Sequence, residues 1–355
     1  MADRVMPSLA DTYDLAAMLP GGKPETFCLA HYVHLPYFRR VITRLLVVHP
    51  IIVWHTLRLR PALLHIYDPE LLPVARLLQL LLHIPVVYEV HENFYKKLAQ
   101  KVSTQGRLAT FFFRWFDAMA QRCFYLIFTE HAYLSTYTRR VKSSAVVYNY
   151  PSLAALEPFR FPYQPSQEIP EFFYIGWISR ERAFDTLVTA LVRFKQHYPI
   201  FRVHLFGQCT LTDNELERLP GFASVREHLI FYGYTNQQQA LPLIRRATAG
   251  IALLKPVGDY PDSYPTKLFE YMALGLPVIT SDFPLYRAVV ETHNCGFCLS
   301  PDSSEQVANA LVYLVEHPTK AQIMGKNGRK AVEDVYNWGT ERLKLLNLYS
   351  QILRM

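Results

Sequence analysis

Three charged residues with a spacing that could do chemistry sit in one short run, Asp262-Ser263-Tyr264-Pro265-Thr266-Lys267-Leu268-Phe269-Glu270. Pro265 and Thr266 mark a helix start, Gly275 marks its stop, and Val278-Ile279-Thr280 after Pro277 is a short apolar strand. The first turn of a helix gathers unpaired backbone N–H groups and partial positive charge, so Lys267 at that place makes a seat for a phosphate. Glu270 follows about one turn later and can accept hydrogen bonds from sugar hydroxyls. Asp262 lies eight positions before it (270 − 262 = 8), where a loop running into a helix can bring both carboxylates to one ligand. A lysine at a helix start is often only solvated, so local chemistry leaves both readings open.

Other polar groups follow short β-rich runs. His65, Asp68 and Glu70 come at and after Leu63-Leu64-His65-Ile66-Tyr67, and Glu89, His91, Glu92 and Asn93 come after Pro85-Val86-Val87-Tyr88. A histidine among carboxylates suits metal binding or acid–base chemistry, and equally suits a hydrogen-bonded loop. Gly176-Trp177-Ile178-Ser179-Arg180-Glu181-Arg182 puts cations just beyond another strand, where an anion would be met. Cys295-Gly296-Phe297-Cys298 has the CxxC form, but a redox pair needs a following helix N-terminus and a zinc site needs a second pair. Its surroundings read as a buried strand, so the cysteines are read as structural and no metal is expected.

These groups need elements to position them, and the chain supplies a repeating alternation. Of its 355 residues 50% are hydrophobic, 19% charged and 14% aromatic, enough for two domains with cores and unlike a disordered or coiled-coil chain. Leu63–Tyr67, Pro85–Tyr88 and Tyr125–Phe128 are strands separated by helical patterns, as in a parallel sheet. The opening is unusual: Pro7 to Asp11 reads as the end of a helix and Asp14 to Met18 as a strand closed by Pro20-Gly21-Gly22, so the first strand of a doubly wound sheet is expected to be missing. Pro151, Pro158, Pro162, Pro165 and Pro170 mark a linker. The alternation then restarts with strands at Phe172–Gly176, Arg202–Phe206, Leu229–Tyr232, Gly250–Leu254 and Gly296–Leu299, and helices at Asp185–His197, Gln237–Ala247, Ser304–Glu316, Lys320–Val335 and Thr340–Leu353.

Charge is distributed unevenly. Residues 1–150 hold 17 Lys and Arg against 10 Asp and Glu, and the remainder 20 against 20, so the whole excess of +7 falls in the first half. An anionic partner for that half is implied: an acidic membrane, a phosphorylated lipid or a nucleic acid. Two stretches there are basic and apolar together. Phe38 to Arg60 carries Arg39, Arg40 and Arg44, and Lys96 to Arg122 carries Lys97 and Arg114 beside Phe111-Phe112-Phe113-Arg114-Trp115-Phe116. Such composition suits a membrane interface, although aromatics at helical spacing are also core residues. Leu45 to Trp54 is interrupted by His49 and Pro50, so a membrane-spanning helix is not expected, and the N-terminus lacks a secretion-signal pattern. Five scattered cysteines fit a reducing compartment. Together these place the chain in the cytoplasm, peripheral on the inner face of the cell membrane.

The stretch from Asp262 to Thr280 resembles the nucleotide-sugar motif of retaining GT-B glycosyltransferases of family 4 (group 1). The resemblance extends over the second domain, including Tyr336-Asn337-Trp338, and more loosely over the first. It implies an α/β GT-B fold, with two Rossmann-like doubly wound domains facing a central cleft. The expected organisation is an acceptor-binding domain at 1–155, a linker at 156–170, a nucleotide-sugar domain at 171–336, and a helix at 337–355 crossing back to the first domain. Glu270 matches the second carboxylate of the motif, and Asp262 stands where the family most often has glutamate. A histidine like His91 falls near the donor sugar in relatives, so His91, Asp262 and Glu270 are the implied catalytic residues. Gly176, Arg182, Gly207, Tyr234, Ser263, Thr266, Lys267 and Leu268 are the implied donor-binding residues, with Trp177 where many members have arginine.

The reaction implied is sugar transfer from a nucleotide-diphosphate donor with retention and without a metal or cofactor, the leaving phosphate helping to deprotonate the acceptor. Arg39, Arg40, Lys96 and Lys97 would meet an anionic membrane carrying a lipid-linked saccharide acceptor, in cell-surface polysaccharide or glycolipid synthesis, and no nucleic-acid partner is expected. A different class is a catalytically idle GT-B scaffold that binds lipid or nucleic acid. A sugar-nucleotide epimerase of the same two-domain shape fits the motif less well.

Overall fold

The computed structural model describes residues 2–20, 31–93, 95, 104–166 and 168–354. Lys96, Lys97 and Gly21-Gly22 lie outside the described residues. The chain divides into two compact units, one formed by Met1–Asn149 with Trp338–Met355 and the other by Tyr150–Asn337.

In the first unit, β1 (Ala16–Pro20) and β2 (His31–Leu35) pair in parallel as a sheet of their own. A four-stranded parallel sheet then runs in the order β3 (Leu64–Ile66), β4 (Val86–Val90), β5 (Tyr125–Phe128) and β6 (Ser144–Val146). β4 and β5 are apolar and aromatic apart from Glu89 and buried at every position, as a parallel sheet covered on both faces requires. Alternate residues serve opposite faces. Ile66, Tyr88, Val90, Leu126 and Phe128 pack with the Leu72–Leu82 and Thr104–Cys123 helices through Leu72, Ala75 and Ala120, and with Phe124 just beyond the second helix. Val87, Tyr125 and Ile127 pack on the opposite face under Val5 and Leu9 of the Ala2–Ala10 helix and Leu345, Leu348 and Tyr349 of the closing helix Trp338–Leu353. Trp338 Nε1 also donates to Ser8 Oγ at 2.6 Å. β2 and β6, too short and mixed to stand out as patterns, escape a sequence reading.

The stretch Val41–Leu59 corrects an expectation. It is one helical run of 19 residues, long and apolar enough by length and composition to cross a bilayer, and only 17% of its most apolar window is buried. His49-Pro50 does not end it. Proline removes an N–H and its ring crowds the carbonyl one turn back, and the chain absorbs this by widening into a π-type turn over Arg44–Val48 immediately before Pro50.

The second unit holds six parallel strands in the order β12-β11-β10-β7-β8-β9: β7 (Glu171–Ile175), β8 (Arg202–Phe206), β9 (Leu229–Gly233), β10 (Ala249–Ala252), β11 (Val278–Ser281) and β12 (Gly296–Leu299). The Phe184–Lys195 and Ser304–Glu316 helices close a core with Phe172, Val203 and Ile251 on one side of this sheet. The stretch read as a linker is partly ordered on this unit. Ser152 caps a short helix, Leu153–Leu156, and Tyr163 donates to the Thr248 carbonyl at 2.9 Å. Pro242 cuts the helix expected over Gln237–Ala247 to Gln237–Ala240 followed by a tighter turn, Leu241–Arg246. Cys295 precedes β12 and Cys298 lies within it, and burial pushes both thiols up to about 12.

Candidate functional site

In the second unit β7 is central. The chain moves from β7 to β8 on one side and returns to β10 on the other, so strand order reverses between β7 and β10. Open α/β sheets bind ligands beyond the carboxyl ends of the strands at such a reversal. A small cavity lies there, lined by Tyr174 and Ile175 of β7, residues 251–254 at and after β10, and Arg182, Pro265 and Lys267.

Two glycines make room for it. Gly176 has φ +146°, and a Cβ there would come within 2.9 Å of Arg182 Nη1 and 3.3 Å of Lys267 Cε. The two cationic side chains therefore meet over the bare Cα of Gly176. Gly207, φ +140°, approaches Gly176 so closely that a Cβ would lie 1.8 Å from the Gly176 carbonyl oxygen. The Arg182 guanidinium is further held 5.9 Å from the Tyr260 ring centroid.

The Thr266–Ala273 helix brings Lys267 to this place. Its Tyr271 is buried behind the sheet, where the hydroxyl accepts from the Ile175 amide at 2.8 Å. Burial holds that phenol well above its usual ionisation range, so it stays neutral. Thr266 and Lys267 open the helix at the place where it cannot bond its own amides. Glu270 is three residues beyond Lys267, hence on the same helix face, and only 7% exposed. The Leu268 side chain is fully buried in the core and its amide donates to the Pro265 carbonyl at 3.1 Å.

The preceding loop is fixed from two sides. Ser263 Oγ donates to the Asp259 carbonyl at 3.0 Å, and the Tyr286 hydroxyl lies 2.7 Å from the Tyr260 carbonyl and 3.0 Å from that of Ser263. Asp262 ends the short turn Tyr260–Asp262 in this loop and is partly exposed. Tyr234, just beyond β9, is 94% exposed. Gly176, Arg182, Gly207, Thr266 and Lys267 thus converge at one strand-end crevice, with Asp262, Ser263, Glu270 and Tyr234 on the loops and helix around it.

In the first unit the polar groups of two loops prove to be neighbours. Glu89 is 2% exposed. Its carboxylate lies 3.1 Å from His65 Nε2 and 3.5 Å from His91 Nε2. Burial pushes the His91 imidazole below its usual range while Glu89 pulls it back up. Asp68 is raised, chiefly by burial and next by Glu70. Arg44 forms a two-pronged pair with Glu70, Nε to Oε2 at 2.8 Å and Nη2 to Oε1 at 2.5 Å, so it is turned into the fold. Arg39 and Arg40 are exposed. The sequence shows each loop's residues but not their joining, which depends on the β3–β4 pairing. Reading every second residue of the two strands as one face would have suggested it.

Two doubly wound parallel units, one carrying a cationic crevice at its topological switch, are the α/β architecture of the GT-B glycosyltransferases. Solved structures agree. A sucrose-phosphate synthase from Thermosynechococcus elongatus superposes with TM-score 0.74 at 19% identity, covering 99% of this chain and 91% of that one. The Anabaena protein HepE in complex with UDP and glucose gives 0.72 at 16%, covering 98% and 95%. Residues 157–331, nearly all of the second unit, match the family model described as glycosyl transferases group 1. Among curated proteins, a glycogen synthase of Mycobacterium tuberculosis is 20% identical over 202 residues, 55% of this chain and 46% of its own length. The match thus spans about half of that relative.

Proposed function

We propose that this protein transfers a sugar from a nucleotide-diphosphate donor to an acceptor with retention at the anomeric carbon. The observation that carries this is the meeting of Arg182 and Lys267 over Gly176 at the switch point, one helix turn from Glu270. HepE, of similar fold, holds UDP and glucose. A departing nucleoside diphosphate gains charge as the glycosidic bond breaks. Two preorganised cations and the start of the Thr266–Ala273 helix stabilise that charge without reorganising. A phosphate oxygen of the leaving group takes the acceptor proton, so neither a protein nucleophile nor a metal is assigned a step. Glu270 accepts hydrogen bonds from ligand hydroxyls, and Asp262 and Tyr234 complete the donor contacts.

The acceptor is proposed to be a lipid-linked saccharide, with the enzyme peripheral on the cytoplasmic face of a membrane in polysaccharide or glycolipid synthesis. What supports this is the first unit's surface. Three helices packed in succession expose large apolar side chains: Ile42, Leu46 and Trp54 on Val41–Leu59, Leu80 and Leu81 on Leu72–Leu82, and Phe111 and Trp115 on Thr104–Cys123. Exposed Arg39, Arg40, Arg58 and Arg114 lie on or beside the same helices.

Calorimetric titration with UDP, GDP and UDP-glucose tests the donor site. Saturable binding of at least one, weakened tenfold or more in Arg182→Ala and in Lys267→Ala, is the expected result. Absence of binding by all three, or affinity unchanged in both variants, would remove the donor site and leave the idle-scaffold reading.

A further inference from the structure

Four side chains of the first unit form a continuous polar chain across two strands and the closing helix. The Tyr349 hydroxyl, on Trp338–Leu353, lies 2.5 Å from His65 Nδ1 on β3. His65 Nε2 meets Glu89 Oε2 of β4 at 3.1 Å, a charge contact rather than an aligned hydrogen bond, and Glu89 Oε1 lies 3.5 Å from His91 Nε2. His65 is opposite Val87 in the strand register, so His65, Tyr67, Glu89 and His91 all belong to one face. Tyr67 is stacked against both imidazoles, 4.4 Å from His65 and 5.6 Å from His91 between ring centroids. The side chains of His65 and Glu89 are 10% and 3% exposed and that of His91 is 28% exposed, so the chain begins in the interior and opens at His91.

We infer that Tyr349, His65 and Glu89 are positioning residues that hold the His91 imidazole in one orientation and tautomer, with Nε2–H on Glu89 and Nδ1 directed outward as a hydrogen-bond acceptor for a substrate hydroxyl. The proton assignments follow from the partners. Burial keeps the Tyr349 phenol protonated, so it donates to His65 Nδ1, and a neutral His65 then carries its proton on Nε2, facing Glu89. An ionised Glu89 can only accept, so it favours the proton of each imidazole on the Nε2 that faces it and leaves His91 Nδ1 with its lone pair. A histidine oriented by a carboxylate that is itself held is the arrangement by which bases are aimed in many sites. The hydroxyl-acceptor role rests on the sugar-transfer reading, whereas the tautomer does not.

The test reads the tautomer directly, by ¹⁵N resonances of the histidine rings in the full-length labelled protein, with His65 and His91 assigned from His65→Gln and His91→Gln. Both rings of the unaltered protein are expected to carry the proton on Nε2 at neutral pH. Glu89→Gln offers one acceptor oxygen and one donor NH₂ to two N–H groups, so one ring must transfer its proton to Nδ1, and the His91 midpoint should fall as the Glu89 charge that raises it is lost. Tyr349→Phe, which keeps the ring's packing, should release the His65 tautomer. His91 and His65 tautomers unchanged in both variants, with backbone spectra showing the native fold, would overturn the chain. Tautomers that respond as expected in a protein that binds no nucleotide sugar would uphold the chain and remove only the sugar-transfer reading.

Discussion

At Gly207 the backbone has no room for a methyl group. A Cβ would lie 1.8 Å from the Gly176 carbonyl oxygen at a φ of +140°, so Gly207→Ala has to move the strand end that carries Gly176 and, with it, Arg182 and Lys267. The expected cost is about 3 kcal/mol of stability, from backbone strain and a clash that no rotamer relieves, and urea denaturation would measure it. Glu270→Ala is expected to weaken donor binding by about 2 kcal/mol, since a carboxylate accepting hydroxyl bonds is lost while the helix is kept. Calorimetry on the folded variant checks it, and unchanged affinity would remove Glu270 from the site. Lys267 and Glu270 are legible in the sequence because everything that brings them together is local: a helix start and a spacing of three. The burial of the Leu268 side chain is not legible there, since nothing in the local run tells which residue of the first turn points into the core. Arg44 counts only as one cation of a basic, apolar stretch in the sequence, because its partner, Glu70, is 26 residues away.

At the scale of elements, the Thr266–Ala273 helix is held at its far end by a side chain that belongs to another helix. Arg329, buried in Pro318–Asp334, donates Nη1 to the Ala273 carbonyl at 2.7 Å, Nε to Glu333 at 2.6 Å and Nη2 to Glu157 at 2.7 Å. Arg329→Met should cost about 2 kcal/mol at neutral pH, since it leaves a helix-end carbonyl buried without its donor. The Glu157 carboxyl is held below its usual range, first by Arg329 and then by Arg160. Its contribution is therefore present at neutral pH and is lost as pH falls through that lowered value. Denaturation curves between pH 7 and pH 3 should show a shallower acid decline in Arg329→Met than in the unaltered protein; parallel declines would mean that the pair adds nothing. The strands β5, β8 and β12 could be read to the residue because each is a short run rich in aromatic and aliphatic residues between helical patterns. The Val41–Leu59 helix could not, because a proline reads as a stop unless the turn before it is known to widen. The Tyr349–His65–Glu89–His91 chain was legible only as two separate clusters, since strand pairing, not sequence proximity, joins them.

At the scale of the molecule, the division into units sharpens the charge asymmetry. Met1–Asn149 with Trp338–Met355 holds 20 Lys and Arg against 11 Asp and Glu, a balance of +9, and Tyr150–Asn337 holds 17 against 19, a balance of −2. The basic unit is also the one whose helices leave Ile42, Leu46, Trp54, Leu81, Phe111 and Trp115 exposed. A soluble partner would be served by either feature alone, whereas an anionic bilayer uses both: cations draw the unit to the surface and apolar side chains enter the headgroup boundary. Each cation near such a surface contributes about 1 kcal/mol, so on the proposed membrane face exposed Arg39, Arg40, Arg58 and Arg114 together would give reversible attachment that weakens with salt. Sedimentation with vesicles should therefore recover the protein on anionic and not on neutral lipid. Arg39→Ser with Arg40→Ser should lower recovery at physiological salt. Ile42→Ser with Trp54→Ser should lower it at every salt concentration, because apolar insertion is not screened. Equal recovery on neutral and anionic vesicles, or none lost in either pair of variants, would make the basic face a solubility feature and point to a soluble acceptor.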